Sequence, residues 1–497
     1  MTGPGIRHWD LNIPIEIDRA SDMPVYKQLE KRIADEISRG RLSPGAALPG
    51  SREMAAQLKV NRKTVILAYE GLAAQGWVTS DPTRGTFVST ELPNIGPYAL
   101  PGVLRRVSSE PRYEIDKENS EVPIVLSGGP TGSFDDGLPD ARIFPSQEFA
   151  RAYRSALTQE SQLDRLYYGD PKGHPRLRQA IAGMVNAERG LSVETDNVCL
   201  TRGSQMAIYL ASRVLARSGE TVAIDELTYP PAFHAFMANK ANVIAIRTDA
   251  SGFDVDHLEA ECRKARIRSI YLTPHHHFPT TVTLTPERRI RLLSIAEQYR
   301  FSIIEDDYDH DYNFDAKPLL PMAGFSPENI VYVGSFSKIL SPHLRLGYII
   351  AAKQTVDAVA KQIVLLDRQG DQITELAVAD FIESGELVRH ARRTLNLYRG
   401  RRDAFCSILS QTFGDRVRFN KPKGGLAFWL EFTKPEDLNS IEHLAKLKQL
   451  RILRSEQFRH SPGTRRGLRL GFASKTESEA AASLKVLRDA LNDTARL

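Results

Sequence analysis

Val331-Tyr332-Val333-Gly334-Ser335-Phe336-Ser337-Lys338, continued by Leu344-Arg345-Leu346-Gly347-Tyr348, is the stretch whose reading decides the fold. The β-branched run reads as a buried strand, and behind it comes a small-residue turn carrying two hydroxyls, a lysine and then an arginine. Such a turn suits a phosphorylated aldehyde. The lysine amine can form an imine with the aldehyde carbon, while serine hydroxyls, turn N–H groups and a guanidinium hold a phosphate dianion. The competing reading is an ordinary surface lysine on a loop. It falls only if other parts of the chain supply the rest of a site.

Those other parts can be located in advance, because ligands of open α/β sheets gather where the strands end. Beyond Pro123, short runs at 197–201, 222–225, 243–246, 269–273, 302–305, 330–334 and 346–351, most of them Val/Ile-rich, alternate with helical stretches such as 205–217 and 286–299. The pattern predicts an α/β domain with a largely parallel sheet over 123–386, followed by a smaller mixed domain over 387–497.

Three strand ends answer the lysine. After 197–200 comes Thr201-Arg202-Gly203-Ser204-Gln205 and then a helix, so Ser204, Gln205 and the helix N-terminus can bind phosphate. After 301–304 comes Glu305-Asp306-Asp307-Tyr308-Asp309, an acidic cluster at the mouth of a buried strand, where like charges are costly without a cationic partner. A protonated pyridine nitrogen is such a partner, and Tyr308 can hydrogen-bond a neighbouring phenolic oxygen. After 222–225 comes Tyr229, which can stack on a flat ring. Taken singly, these are a metal site or solvated loop, a packing tyrosine and a helix cap. Amine, phosphate cradle, carboxylate and aromatic lid in one sheet argue for a single cofactor site.

The N-terminal part has a different rhythm. Residues 1–21 form an uninformative extension, and from Pro24 the apolar residues Val25, Leu29, Ile33 and Ile37 recur every four positions, predicting an amphipathic helix that ends near Gly40. Ser51 is expected to cap a second helix carrying Met54, Ala55 and Leu58, and Asn61 a third carrying Val65, Ala68, Tyr69 and Leu72. This is helix-turn-helix spacing, with Arg62, Lys63 and Thr64 in the first turn of a recognition helix. Residues 76–80 and 86–89 read as a hairpin tipped by Arg84, so 22–90 is expected to be a winged helix. It holds ten Lys/Arg against seven Asp/Glu, with the basic residues mainly where DNA would lie. From 91 to 122 the periodicity is lost and prolines recur, as in a partly extended linker.

Bulk composition sets the outer limits. The 497 residues are too many for one core, and 41% hydrophobic with 26% charged residues is ordinary for a globular protein. No run is long and apolar enough to span a membrane, and the first residues lack a signal-peptide pattern, so a cytoplasmic location is expected. Cys199, Cys262 and Cys406 are widely spaced and read as small core residues, and a net charge of +5 is too small to imply nucleic acid without local evidence. His275-His276-His277 could suggest a metal, but consecutive residues on an extended segment point apart, so no metal is expected.

Two resemblances add to this. Pro24-Val25-Tyr26-Lys27-Gln28-Leu29, Gly40 to Gly45, Leu48-Pro49-Gly50-Ser51-Arg52, Asn61 to Val65 and Arg84 to Val88 resemble the GntR-type winged helix. That resemblance implies DNA contacts from Arg52, Arg62, Lys63, Thr64, Arg84 and Gly85, with Gly50 standing where a second serine is usual. The remainder resembles the fold-type I, aspartate-aminotransferase-like pyridoxal phosphate enzymes, and the combination looks like a MocR-subfamily transcriptional regulator. By that resemblance Lys338 forms the Schiff base (the internal aldimine), Asp306 meets the pyridine nitrogen, Tyr308 binds the ring oxygen and Tyr229 stacks. Ser204, Gln205, Ser335, Ser337 and Arg345 cradle the phosphate. Arg469 grips an effector carboxylate, and Tyr168, or Tyr167 in its stead, reaches the partner subunit's cofactor. The chain departs from the aminotransferases at Phe278-Pro279-Thr280-Thr281, where Asn-Pro-Thr-Gly is usual; His276 is expected to take over a polar contact.

The resemblance therefore implies a regulator that binds operator DNA as a head-to-tail homodimer and senses pyridoxal 5'-phosphate or an amino-acid or amine effector through Lys338. The alternative is a working aminotransferase with an appended DNA-binding domain. A third reading makes the cofactor structural glue.

Overall fold

The computed structural model describes residues 17–81, 84–93, 132–162, 167–314, 319–461 and 465–494. The chain divides into two compact units, Met1–Ile115 and Asp116–Leu497. The expected linker falls almost wholly outside the described residues. Among the described residues no helix is long and apolar enough to cross a membrane.

In the first unit, α1 (Val25–Ser38), α2 (Ser51–Leu58) and α3 (Arg62–Ala74) precede the antiparallel pair β1 (Val78–Asp81) and β2 (Gly85–Val88). The every-fourth-residue stripe of α1 becomes the core: Leu29, Ile33 and Ile37 pack with Met54, Val65, Leu72 and Trp77. Helix α2 stops at Lys59, which adopts a left-handed conformation, and Asn61 then caps α3 by accepting a hydrogen bond from the Lys63 N–H at 2.9 Å. Ser51 is not the cap of α2. Gly50 holds that position, and the Ser51 hydroxyl instead accepts from Arg62 Nε at 3.2 Å, joining the two helices of the motif.

The second unit opens with α4 (Ser146–Gln162) and α5 (Pro175–Arg189). It continues as β3 (Val198–Thr201), α6 (Ser204–Leu215), β4 (Thr221–Asp225), α7 (Pro230–Ala238) and β5 (Asn242–Ile246). A two-residue-strand hairpin, β6 (Thr248–Asp249) with β7 (Gly252–Phe253), leads to α8 (Val255–Lys264), β8 (Ile267–Leu272), α9 (Pro286–Tyr299), β9 (Ser302–Asp307), β10 (Ile330–Ser335) and β11 (Gly347–Ile350). Seven of these strands form one sheet in the order β3-β11-β10-β9-β8-β4-β5. Only β11 runs antiparallel to its neighbours.

Helices cover both faces of this sheet, which is why its strands read as near-continuous apolar runs. Successive residues serve opposite faces: Val331 and Val333 pack with Ala207, Ile208 and Ile349, whereas Ile330 and Tyr332 pack with Ile303 and Ile350. Cys199 and Cys262 are buried and free, as expected of small core residues, and Cys406 is partly exposed.

Three helices, α10 (Lys353–Leu366), α11 (Gln372–Glu383) and the long α12 (Glu386–Phe413), lead to a second, antiparallel sheet. Its strands β12 (Val417–Arg418), β13 (Ala427–Phe432), β15 (Leu468–Gly471) and β14 (Leu453–Arg454) lie in that order, with α13 (Leu438–Leu447) and α14 (Glu477–Thr494) completing the layer. Its core includes Phe405, Phe428, Leu470 and Leu487, and also Phe134 from the start of the unit. Residues near 134 thus belong physically with the C-terminal layer, although in sequence they adjoin the large sheet.

Candidate functional site

Lys338 lies three residues beyond β10, and its side chain enters a pocket lined by Asp136, Ser204, Tyr229, Tyr271, Thr273, Phe278, Asp306 and Tyr308. Five residues expected from the sequence are thereby brought together: Lys338, Asp306, Tyr308, Tyr229 and Ser204. Lys338 Nζ sits 3.7 Å from Asp136 Oδ1. Burial opposes ionisation of Asp136, but Lys338 and Arg469 outweigh it and hold the carboxyl below its usual range.

Asp306, near the end of β9, is 3% exposed. Its Oδ2 accepts a hydrogen bond from the Tyr271 hydroxyl at 2.8 Å, whereas its buried Oδ1 has no partner. Burial pushes this carboxyl up to about 7; Tyr271 opposes the rise, and Asp307 and Asp309 add to it. The unpartnered oxygen is what a protonated ring nitrogen would satisfy. Tyr308 donates to the His276 carbonyl at 3.0 Å, and burial together with Asp309 keeps its phenol well above the usual range. Tyr229 meets the Phe278 ring edge-on at 5.3 Å.

A concavity beside the pocket is set by backbone. Gly347 on β11 is in register with Ser335 of β10 on one side and Thr201 of β3 on the other. A Cβ on Gly347 would lie 2.8 Å from the Gly203 carbonyl carbon and 2.9 Å from the Ser204 nitrogen, so only glycine lets the N-terminus of α6 approach so closely. Gly203 itself has φ +80°, and a Cβ there would meet the Arg345 guanidinium at 3.0 Å. Arg345 donates to the Arg202 carbonyl at 2.9 Å, and Ser335 Oγ accepts from the Ser337 N–H at 3.1 Å. Ser204 and Arg345 thus flank the N-terminus of α6, and Ser335 and Ser337 lie on the adjoining turn after β10; of these four, Ser204 alone lines the Lys338 pocket, while Ser335 and Arg345 line neighbouring cavities. Gln205 is exposed on the first turn of the same helix.

Arg469, on β15, is fully buried. Its Nε donates to the Asp136 carbonyl at 2.8 Å and its Nη1 to the Pro279 carbonyl at 2.7 Å, and the guanidinium lies 4.4 Å from the Phe278 ring centroid. It thus ties three distant segments together at the edge of the pocket.

Some expectations find a different arrangement. His276 does not turn into the pocket; its ring pairs with Asp309 at 2.7 Å, and the Phe278 ring occupies the lining. Tyr167 and Tyr168, expected to act in a partner subunit's site, are each 71% exposed, and the Arg368 guanidinium covers the Tyr168 ring at 3.8 Å. Asp136 and Tyr271 do line it and were not singled out in the sequence. Asp136 is some two hundred residues from Lys338, and nothing in a buried tyrosine's sequence context reveals which group its hydroxyl meets.

In the first unit, Arg52, Arg62, Lys63, Arg84 and Gly85 are exposed, with Thr64 half-buried. Asn61 places Arg62 and Lys63 at the start of α3, where the two cations and the positive end of the helix dipole both favour a phosphate. The Arg84 N–H donates to Asp81 at 3.0 Å across the hairpin, and its guanidinium lies 5.4 Å from the Phe87 ring centroid. Gly85 has φ +106°.

Residues 139–487 match the model of the family described as aminotransferase class I and II, and residues 25–88 match bacterial regulatory proteins of the gntR family. Over 484 residues the chain is 29% identical to a probable rhizopine catabolism regulatory protein, MocR, of Rhizobium meliloti, covering 94% of each. It is 27% identical to the HTH-type pyridoxine biosynthesis transcriptional regulator PdxR of Corynebacterium glutamicum, covering 97% of this chain and 99% of that one. Among solved structures, the α-aminoadipate aminotransferase LysN of Thermus thermophilus, complexed with N-(5'-phosphopyridoxyl)-L-leucine, superimposes with a TM-score of 0.71. It is 25% identical, over 77% of this chain and 98% of that one.

Proposed function

From the premise that this chain belongs to the aminotransferase class I and II family and carries a gntR-family domain ahead of it, as in MocR-type regulators, we propose that it is a DNA-binding transcriptional regulator. Its aminotransferase-like unit holds pyridoxal 5'-phosphate and uses it to sense that cofactor itself or an amino compound. The unpartnered Oδ1 of Asp306, facing a pocket that also contains Lys338, is the observation that carries this reading. In this reading Ser204, Ser335, Ser337 and Arg345, around the closely packed N-terminus of α6, take the phosphate, Tyr308 the ring oxygen and Tyr229 the ring face. Gln205, exposed on the first turn of α6, joins them in the cradle.

Bound there, the cofactor supplies an aldehyde carbon that can exchange the Lys338 amine for that of an amino compound. The chain's own groups prepare for that exchange. Asp136, 3.7 Å from Lys338 Nζ, would hold the lysine side chain as an ammonium, and Arg469 would offer guanidinium N–H groups to a carboxylate on the incoming molecule. Tyr308 and Asp306 would hold the ring by its oxygen and its nitrogen. Differential binding of the effector to two arrangements of this unit then biases how a homodimer presents its winged helices to DNA. Arg52, Arg62, Lys63, Thr64, Arg84 and Gly85 make the operator contacts in this reading, and Tyr168 acts in the neighbouring subunit's site.

The rival is an aminotransferase that turns over. Incubation of the full-length protein, loaded with cofactor, with amino donors and 2-oxo acids separates the two. The regulator reading predicts a spectral change limited to about one equivalent per chain, and sustained product formation would replace it with the enzyme.

A further inference from the structure

At and just beyond the ends of β8 and β9, three side chains converge that the cofactor reading leaves unused. His275, Asp307 and His310 are 3%, 2% and 6% exposed, and one ligand atom from each lies within 4.8 Å of the others. Asp307 directly follows Asp306 on β9, so its side chain leaves the sheet on the opposite face from the pocket.

The tautomer of His275 follows from its surroundings. Its Nε2 faces the Leu319 carbonyl, which can only accept, so Nε2 carries a proton. In the neutral ring Nδ1 then presents a lone pair to Asp307 Oδ1 at 3.2 Å, and both atoms are buried without a hydrogen-bond partner. Two acceptors face to face in a dry interior repel unless a positive charge stands between them. The other carboxylate oxygen is held in place: Oδ2 lies 2.8 Å from His310 Nδ1 and accepts from the Tyr332 hydroxyl at 2.7 Å, and Arg189 donates to that hydroxyl.

We propose that His275, Asp307 and His310 bind a divalent transition-metal ion of the zinc class. Two imidazoles and one carboxylate are a ligand set suited to such an ion, and a donor softer than oxygen disfavours magnesium or calcium. A ligating histidine ordinarily gives its second N–H to a backbone carbonyl, as His275 does to Leu319, and a ligating carboxylate is itself hydrogen-bonded, as Asp307 is by Tyr332. Glu305 adds a second carboxylate nearby, while Arg189 and Arg289 face the site as cations. Retention of the ion therefore rests on ligation rather than on net charge. The deep burial makes the role structural: the ion pins the segment entering His276 and Phe278 to the strand that carries Asp306 and Tyr308, and so stiffens two walls of the pocket.

No metal was expected from the histidine run, and the three rings do diverge, His276 toward Asp309 and His277 toward Asp225. Only His275 joins the cluster, with partners from another strand.

The rival occupant is a proton on His275 Nδ1. The discriminating experiment is metal titration of untagged, full-length protein after dialysis against a chelator. Cobalt(II) is read by its ligand-field absorption, zinc by displacement of that absorption and by elemental analysis. The expected result is one ion per chain and a rise in the unfolding temperature with zinc. His275→Gln and His310→Gln should each weaken binding by at least about 100-fold while retaining the wild-type circular dichroism, and the exposed His443→Gln should bind normally. Absence of a stoichiometric cobalt band, or its persistence in both variants, overturns the proposal in favour of the proton.

Discussion

The winged-helix unit and the sheet-edge pocket place their charged groups in opposite ways. On the first, Arg52, Arg62, Lys63 and Arg84 stand exposed, and the core beneath them is made of other residues, such as Leu29 and Val65. In the second, Asp306 and Arg469 are almost wholly buried, and each also holds neighbouring segments together. Binding and folding are therefore separable in one unit and entangled in the other. Removing an exposed cation leaves no buried partner behind, whereas removing a buried charge strands groups that water cannot reach.

Five substitutions test this contrast. Leu29→Ala removes a fully buried side chain from the winged-helix core and is expected to cost about 2–5 kcal/mol of that unit's stability, read by denaturant unfolding, with DNA binding lost only as far as the unit unfolds. Asp306→Asn retains an oxygen for Tyr271 but offers no charge to a pyridinium. Cofactor binding, followed by absorbance, should weaken by roughly 10- to 100-fold, in line with about 1.5–3 kcal/mol for a hydrogen bond to a charged group. Undiminished affinity would detach Asp306 from the cofactor.

Glu375 tests entanglement through pH. Burial pushes its carboxyl up to about 7; the His174 N–H and Arg202 oppose the rise, and Asp371 and Asp170 reinforce it. Because the folded-state pKa exceeds the unfolded one, folding takes up a proton at this site, and stability is lost as pH rises from about 4.5 toward about 7. Glu375→Gln keeps an acceptor for the His174 N–H, which Glu375 now receives at 2.7 Å, and has nothing to ionise. Its unfolding free energy should vary less across that window and exceed wild type above pH 7, by an amount on the order of 1–3 kcal/mol. Arg62→Ala and Arg84→Ala, in contrast, should leave the unfolding temperature unchanged while lowering DNA affinity by roughly tenfold each and reducing the salt slope by about one. A large loss of stability in either would break the contrast.

What could be read in advance follows the same division. The seven strands were legible because β-branched runs between turn residues have few alternatives, and the convergence of Lys338, Asp306, Tyr308, Tyr229 and Ser204 could be expected because each lies at or just beyond the end of one of them. The α3 cap at Asn61 was legible from side-chain chemistry. Ser51 misled because Gly50 takes the cap position one residue earlier, leaving the Ser51 hydroxyl free to accept from Arg62. Asp136 was hidden by its distance along the chain, and the contacts of His275 by the fact that its partners lie on the next strand. His276 was expected in the pocket because its place in the motif is visible, whereas the pull of Asp309 on its ring is a tertiary fact.

In the function proposed above, Lys338 is the covalent end of a sensor coupled to DNA. It is tested most directly by titrating the full-length protein, loaded with pyridoxal phosphate, onto a labelled fragment of its own promoter region while a panel of primary amines and amino acids is added and the cofactor absorbance is recorded in the same samples. The predicted result is that the compounds that shift the absorbance also change DNA affinity, and that Lys338→Ala loses both responses while still binding the fragment. A Lys338→Ala protein whose DNA affinity still responds to the same compounds would contradict it.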